Sequence, residues 1–462
     1  MRKALIFLLF LLPASMICLS CGGYSAPAGT TAGGVKDRAF VSNSVSSGSG
    51  AAGVYVVNAQ TDVRAVAAPI SAGNTPGIMV LTPNRAQTLV FSGSGTQSSD
   101  NQLSIVTNAS DAVASHVALP GMTESFVVSP DSSAAYVAVP TAKVVGQSPG
   151  RVEAISLSNG SVTGVANVPA VHYLSINNSG SRLLGFSDNS DQVAVITTSL
   201  IATGNAVTFT GGPGVFDHPV AAFFSSDDST AFVLSCGAEC GGTQASVQQF
   251  NLITNTLVVS TPICSIDNAQ ETQCAGSTFL VNGPTIYIAG TPHSAGGGPS
   301  LLCSAGTTTT QATNCGMLST LDLNTMLVTN SAPIVITDGY HNRMAMAANG
   351  QLFIGARTCT EISATETRGC LSIYNTLATP VGSVPPGGVL IPPENGDVTG
   401  LQPVAKRTVM YVVQGRGVSQ GGSLFIYDAT TDLLENNPND PNNPGHINGL
   451  VGDFFDVKTI DF

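Results

Sequence analysis

Residues 129–139, SPDSSAAYVAV, place a polar turn directly before a short apolar strand. Similar stretches occur at 82–92 (TPNRAQTLVFS), 177–187 (NNSGSRLLGFS) and 225–235 (SSDDSTAFVLS). With looser copies included, eight aromatic or leucine residues recur at intervals of 47 to 66 residues. We call them the marker residues: Phe40, Leu89, Tyr136, Leu184, Phe232, Tyr287, Phe353 and Tyr411. A repeat of this length indicates units that bury their apolar faces only against neighbouring units.

Each marker strand is followed by a second pair of apolar runs around a turn. Examples are VEAISLSNGSVTGV (152–165) and LFIYDATTDLL (424–434). Short runs rich in Val, Ile, Thr, Phe and Tyr between turn residues predict antiparallel strands. No window has a sustained 3.6-residue apolar period, so we expect little helix. One unit is therefore four strands, a to d, which is the size of a propeller blade.

The two ends of the chain complement each other. The first copy lacks strand a, whereas the C-terminal segment 452–462 (GDFFDVKTIDF) has no further strands after it. Placed before 38–42, this segment would complete the first blade and leave no open sheet edge. The sequence predicts an all-β protein with a single β-propeller of eight four-stranded blades. Seven blades are the alternative if one copy is misread.

SPDSSAAYVAV followed by VEAISLSNGSVTG resembles the YVTN-type repeat of bacterial propeller proteins. That group is similar in fold to surface-layer and lactonase-like propellers, and the resemblance spans residues 38–462. It implies a propeller but no single activity, because such folds host binding proteins, lactonases and redox enzymes. Blades five to seven depart from the pattern through long cysteine-bearing insertions. The chain contains no Trp, unlike WD-repeat and quinoprotein propellers.

The N-terminus has the features of a signal peptide, predicted over residues 1–20. A basic Arg2–Lys3 head precedes a short apolar core and small residues. Cys21 with the glycines after it resembles the lipobox of bacterial lipoproteins, which implies a lipidated cysteine and, with Gly at residue 22, the outer membrane. Residues 21–37 are then a lipidated flexible tether, and 38–462 the propeller domain. Plain secretion is the alternative.

Eight further cysteines fall in local pairs. Each pair lies within one predicted loop: Cys236/Cys240, Cys264/Cys274, Cys303/Cys315 and Cys359/Cys370. An even set in local pairs predicts four disulfides formed in an oxidising compartment. Zinc is the alternative, but the second half of a zinc site is missing.

The composition narrows the possible partners. The net charge is −12, only 10% of residues are charged, and no basic cluster is present. We therefore expect no nucleic-acid binding, and membrane contact only through the N-terminal lipid anchor.

Five residues are predicted at the channel mouth because each precedes a strand b by about ten positions: Glu124, His172, His218, His341 and Asp397. Asp217 and Asp338 are adjacent to two of them. In an up-and-down blade the b–c loops lie on the same face, and the longest insertions are there (140–150, 235–246, 290–316, 356–370 and 414–423). A face with long insertions, opposite a face with short loops, indicates a recognition surface. Imidazoles together with carboxylates could hold a metal or contact a polar ligand.

These features favour a lipid-anchored, extracytoplasmic binding module at the cell envelope. Its partner would be an envelope protein, a glycan or a small ligand. Two stretches match catalytic or cofactor patterns, GSGAAG (48–53) and GVSQG (417–421), but neither is followed by the helix that its pattern requires. We therefore expect no cofactor, and the metal content is left open. The alternative is a lactonase-like or metal-dependent enzyme that uses the histidines and acids of the mouth.

Overall fold

The computed structural model describes residues 35–44, 51–93, 100–263, 275–292, 315–330, 334–359, 369–392, 396–416, 420–436, 445–447, 450 and 452–461. The predicted signal peptide, Cys21 and the tether up to residue 34 lie outside this range. So do Cys264, Cys274 and Cys303. No helix in the described part of the chain is long and apolar enough to cross a membrane.

The first four blades occupy the N-terminal half of the chain. Their strands are β1 (Arg38–Ser44), β2 (Gly53–Asn58), β3 (Val63–Arg64), β4 (Pro76–Leu81), β5 (Gln87–Ser92), β6 (Gln102–Thr107), β7 (Ala112–Ala118), β8 (Phe126–Val128), β9 (Ala134–Val139), β10 (Arg151–Ser156), β11 (Val162–Asn167), β12 (Val171–Ile176), β13 (Arg182–Ser187), β14 (Gln192–Thr197) and β15 (Val207–Gly211).

The last four blades and the closing strand follow. Their strands are β16 (Pro219–Phe224), β17 (Thr230–Ser235), β18 (Ser246–Asn251), β19 (Thr256–Pro262), β20 (Thr278–Asn282), β21 (Thr285–Gly290), β22 (Gly316–Asp322), β23 (Leu327–Val328), β24 (Ile334–Ile336), β25 (Tyr340–Met346), β26 (Leu352–Arg357), β27 (Leu371–Tyr374), β28 (Val389–Leu390), β29 (Val398–Pro403), β30 (Val409–Arg416), β31 (Gln420–Asp428), β32 (Leu433–Leu434) and β33 (Asp453–Thr459). Within the described part of the chain, 3-10 helices occur at Thr198–Thr203 and Ala238–Cys240.

These strands form eight antiparallel sheets, which confirms the eight-blade prediction and excludes seven. Blade 1 contains β33 and β1–β3, and blades 2 to 5 take four consecutive strands each from β4 to β19. Blade 6 contains β20–β23 with β24 added beside β22, blade 7 contains β25–β28, and blade 8 contains β29–β32. The C-terminal strand β33 pairs with β1, with Ala39 opposite Thr459, so both ends of the chain close the ring as predicted.

The core is divided among the junctions between blades. Eight clusters of buried apolar side chains each join two adjacent blades, and every marker residue packs in the cluster shared with the next blade. Phe40 packs with Met79 and Val90 of blade 2. Tyr411 of blade 8 packs with Tyr55 of blade 1. The apolar face of each blade is therefore buried by its neighbour, as the repeat implies.

A second inter-blade contact depends on the residue two positions before the marker. In four blades a long polar side chain at this position donates to a backbone carbonyl of the next blade. The pairs are Arg38 with Asn108 at 2.6 Å, Gln87 with Leu157 at 3.2 Å, Arg182 with Leu252 at 2.9 Å, and Gln351 with Ala429 at 3.0 Å.

Two of the four predicted disulfides lie wholly within the described residues and are present. Cys236 pairs with Cys240 and Cys359 with Cys370, with Cα atoms 5.7 Å and 5.6 Å apart. Cys315 is also disulfide-bonded. The first two bridges restrain the insertions after strands b of blades 5 and 7.

Candidate functional site

A β-bulge at the head of strand a presents His172 to the channel mouth. Val171 pairs with Ser187 and Tyr173 with Phe186, so His172 is an extra residue with no partner of its own in the ladder. Bulges of this kind re-aim a side chain. The His172 imidazole is 22% exposed, and it lines a cavity of about 520 Å³ at the mouth.

This mouth cavity lies on the face that carries the insertions. Its walls include Cys240 from the 235–246 insertion and Thr358 from the 356–370 insertion. The acidic, imidazole and guanidinium side chains on its surface are those of Glu124, His172, Asp188, His218 and Arg357. Three of the five predicted site residues, Glu124, His172 and His218, therefore meet in one cavity.

Glu124, His172 and Asp188 form a hydrogen-bonded row along the cavity wall. Nε2 of His172 lies 3.2 Å from Oε2 of Glu124, and Nδ1 lies 2.9 Å from Oδ1 of Asp188. Burial acts to lower the pKa of His172, but the hydrogen bonds to Glu124 and Asp188 outweigh it and raise the pKa. The hydrogen bond to His172 in turn lowers the pKa of Glu124. Both ring nitrogens are engaged, so this histidine suits a fixed cationic contact better than a metal ligand.

His218 belongs to a second group with Asp191 and Asp217. Nδ1 of His218 lies 3.1 Å from Oδ1 of Asp217 and 3.4 Å from Oδ1 of Asp191. One potential ligand atom from each residue lies within 4.8 Å of the other two. Burial acts to raise the pKa of Asp217, but hydrogen bonds from Thr243 and Gln244 outweigh it and lower the pKa. This is the set of described residues that could hold a metal ion.

His341 is not part of either group. It is fully buried and its Nε2 donates to the carbonyl of Thr337 at 2.9 Å, while burial lowers its pKa to about 4. His341 is buried because the hairpin between strands a and b is one residue shorter in blade 7 than in blade 4. Phe353 pairs with Ala345, eight residues earlier, whereas Leu184 pairs with Ser175, nine residues earlier. A one-residue difference turns each side chain to the opposite face.

Asp397 lies next to the cavity but does not line it. Its Oδ1 accepts a hydrogen bond from the backbone N–H of Thr358 at 2.7 Å, and its Oδ2 is 3.9 Å from Nε of Arg357. Asp397 thus contacts two residues of the cavity wall.

The mouth cavity meets the central channel at two tyrosines. The hydroxyl oxygens of Tyr173 in blade 4 and Tyr340 in blade 7 lie 2.5 Å apart, and both residues line both spaces. Burial raises the pKa of both hydroxyls, which keeps them protonated. The channel behind this tyrosine pair has a volume of about 690 Å³ and is lined by innermost strands of blades 1, 2, 4, 5, 6 and 7.

Glu239 is a partly buried acid in the loop closed by Cys236 and Cys240. Its Oε2 accepts a hydrogen bond from the backbone N–H of Thr291 in blade 6 at 3.1 Å. Burial raises its pKa to about 8. The protonated carboxyl therefore joins the 235–246 insertion to the neighbouring blade.

Several residues of the site were missed in the sequence. Asp188, Asp191 and Arg357 belong to ends of strands b or the turns after them, and the up-and-down topology already assigns these turns to the mouth face. The tyrosine pair had a signal too, since His-Tyr at 172–173 and Tyr-His at 340–341 recur at the heads of two strands a.

No protein-family model matches this sequence, and no curated protein is significantly similar to it. Solved structures with a similar fold include dihydro-heme d1 dehydrogenase NirN in complex with DHE, which is 12% identical with a TM-score of 0.57. That alignment covers 92% of this chain and 75% of NirN. The Dos1 propeller is also 12% identical, with a TM-score of 0.51 and coverage of 77% and 82%. At these identities the likeness establishes the propeller fold alone.

Proposed function

We propose that the protein is a lipid-anchored, extracytoplasmic β-propeller that binds a small polar ligand in the mouth cavity. The observation that carries this proposal is the Glu124–His172–Asp188 row on the wall of a cavity of about 520 Å³. The row offers a fixed imidazolium and two carboxylates, and Arg357 lies on the same surface. Concave sites with a few convergent polar groups are typical of small-ligand recognition.

The insertions support a recognition role for this face. Asp217 accepts hydrogen bonds from the backbone N–H groups of Thr243 and Gln244, at 2.8 Å and 2.7 Å, and so holds the 235–246 insertion against the head of strand a in blade 5. The disulfide between Cys236 and Cys240 fixes the same loop. A preformed wall reduces the entropy lost when a ligand is bound.

Ligand retention tests the binding proposal. The protein is extracted from its own membranes in mild detergent, and native mass spectrometry measures any bound small molecule. We expect wild type to retain a ligand and His172→Ala to lose it. His116→Ala is the matched control, because His116 is exposed on β7, away from the mouth. Equal retention by the two variants, or a wild type without any bound molecule, would contradict the proposal.

The anchoring part rests on the sequence at Cys21, where an apolar core and small residues precede the cysteine. Labelled palmitate should enter the wild-type chain, and the mature protein should begin at residue 21 with an added acyl mass. Cys21→Ser should take up no label and remain unprocessed. Fractionation of inner and outer membranes then tests the predicted outer-membrane location.

A lactonase-like or metal-dependent enzyme remains the second candidate because Asp191, Asp217 and His218 could share one cation. Metal analysis distinguishes the two. One metal ion per wild-type chain, lost in a His172→Ala/His218→Ala double variant and in His218→Ala but retained in His172→Ala, would favour the enzyme. Absence of bound metal from wild type would leave ligand binding as the function of the mouth.

A further inference from the structure

The channel on the inner side of the tyrosine pair contains two incompletely bonded guanidinium groups. Arg343, on β25, donates through Nε to the carbonyl of Thr399 at 2.8 Å and through Nη1 to the carbonyl of Asn342 at 2.9 Å. Its Nη2 has no hydrogen-bond partner among the described residues. Two backbone contacts thus fix the plane of the guanidinium and leave one edge for another acceptor.

The guanidinium of Arg357, on the adjacent strand β26, has fewer hydrogen-bond partners than that of Arg343. Its Nε is buried and lacks a hydrogen-bond partner within the described part of the chain. The carboxylate oxygen of Asp397 lies 3.9 Å away, which is beyond hydrogen-bond distance. Arg357 lines both the mouth cavity and the channel.

The channel offers these cations little internal compensation. Among the described lining residues Glu124 is the only carboxylate, and its Oε2 already accepts a hydrogen bond from His172. The chain as a whole carries a net charge of −12, so two incompletely hydrogen-bonded guanidinium groups in its central channel run against its overall charge. Buried donors without acceptors cost free energy, and guanidinium groups bind carboxylates strongly.

Outside blade 7 the channel wall includes apolar side chains. Phe91 of blade 2, Phe279 of blade 6 and Phe455 of blade 1 line it, together with Met122 and Ile78. Both arginines come from blade 7, so the guanidinium groups and the three phenylalanines occupy different parts of the wall. A ligand that satisfies both parts has an anionic head and an apolar body, and about 690 Å³ is ample for a small organic molecule.

We infer that the channel is a second binding site, which takes an amphipathic organic anion with its acid group at Arg343 and Arg357 and its apolar body against the phenylalanines. This site is on the opposite side of the tyrosine pair from the mouth ligand. The charged head gives the site its selectivity, because the aromatic wall accepts neutral and anionic bodies alike.

The test compares two compounds with the same body. Equilibrium dialysis of the full processed protein in detergent, corrected with empty micelles, measures 2-naphthoate and its neutral amide, 2-naphthamide. We expect one molecule of naphthoate per chain, bound at least tenfold more tightly than the amide. Arg357→Gln should reduce that preference at least fivefold, and Arg343→Gln should do the same.

Two controls make the result decisive. Arg182→Gln removes a guanidinium at a blade junction outside the channel and should keep the wild-type preference. Binding of the amide reports whether the channel is intact in each arginine variant. The side chain of Arg357 makes no hydrogen bond among the described residues, so Arg357→Gln is the variant less able to disturb the fold. Equal binding of the two compounds, an unchanged preference in both variants, or no binding of either compound would overturn the inference.

Discussion

Arg38 and Asp461 form a doubly hydrogen-bonded ion pair where the ring closes. Nε of Arg38 lies 2.7 Å from Oδ2 of Asp461, and Nη2 lies 2.6 Å from Oδ1. The same guanidinium forms an ion pair with Asp111 of blade 2, and the Arg38 side chain is only 4% exposed. Arg38 therefore connects the first strand with the end of the chain and blade 1 with blade 2.

Arg38→Met should lower the free energy of unfolding by about 3–5 kcal/mol, because it removes the cation from a buried carboxylate. Asp461→Asn should cost less, about 1 kcal/mol, since Asp461 is partly exposed and Arg38 keeps its contact with Asp111. Urea unfolding monitored by circular dichroism measures both. Arg182→Met is the control, because Arg182 occupies the same position relative to its marker but donates only to a carbonyl. Equal losses for Arg38→Met and Arg182→Met would show that the closure pair has no special role.

Glu239 should make the protein less stable as the pH rises. Its folded pKa of about 8 exceeds the ordinary value of 4.5, so between these values the native state holds a proton that the unfolded chain has released. Stability therefore falls from pH 4.5 to 8. Glu239→Gln should remove this slope and raise the free energy of unfolding by about 4 kcal/mol at pH 8.

Urea unfolding of wild type and Glu239→Gln at intervals from pH 5 to 8 measures this difference. Asp131→Asn serves as the comparison, because hydrogen bonds from Ser129 and Ser133 lower the pKa of Asp131 below its ordinary value of 3.8 and neither partner titrates in this range. Its difference from wild type should stay constant across the same range. A constant difference for Glu239→Gln as well would mean that its carboxyl is ionised in the native state.

The predicted pairing of the remaining cysteines can be tested by identifying their disulfide links. Peptide mapping without reduction should recover Cys264 linked to Cys274 and Cys303 linked to Cys315, beside the two bridges already described. Alkylation of the unreduced, unfolded protein should add no mass. A mixed pairing, or thiols that bind zinc stoichiometrically, would contradict the local disulfide pattern.

The fold was predictable because every blade has a marker residue at the same position, and each marker packs against the next blade. Each marker packs into the junction with the next blade, so its spacing reports the blade spacing whatever the loops between contain. The missing strand a before Phe40 and the surplus segment at 452–462 then determined how the ring closes. The described ends of the cysteine-bearing insertions lie between strands, so the insertions lengthen the interval between markers without moving the marker within its strand.

The site was predictable only where the hairpin length was constant. Counting back from Leu184 placed His172 correctly at the mouth, but the same count from Phe353 reached a core position in blade 7. The contact of His172 with Asp188, and the exposure of Arg357 to both cavities, depend on side-chain directions at the bulges. No periodic pattern encodes those directions.

The buried position of His341 gives the protein an acid-sensitive core. Its folded pKa of about 4 is below the ordinary value of 6.5, so between these values the unfolded chain binds a proton that the native state does not. Stability should fall as the pH drops from 6.5 to 4, by up to about 3 kcal/mol. His341→Gln keeps an N–H donor for the carbonyl of Thr337 but cannot titrate, so its unfolding free energy should lack this dependence. Urea unfolding from pH 4 to 7 provides the measurement, and His116→Gln, with its exposed side chain, should keep the wild-type profile. If His341→Gln follows that profile too, His341 is protonated in the native state and the blade 7 register described above is wrong.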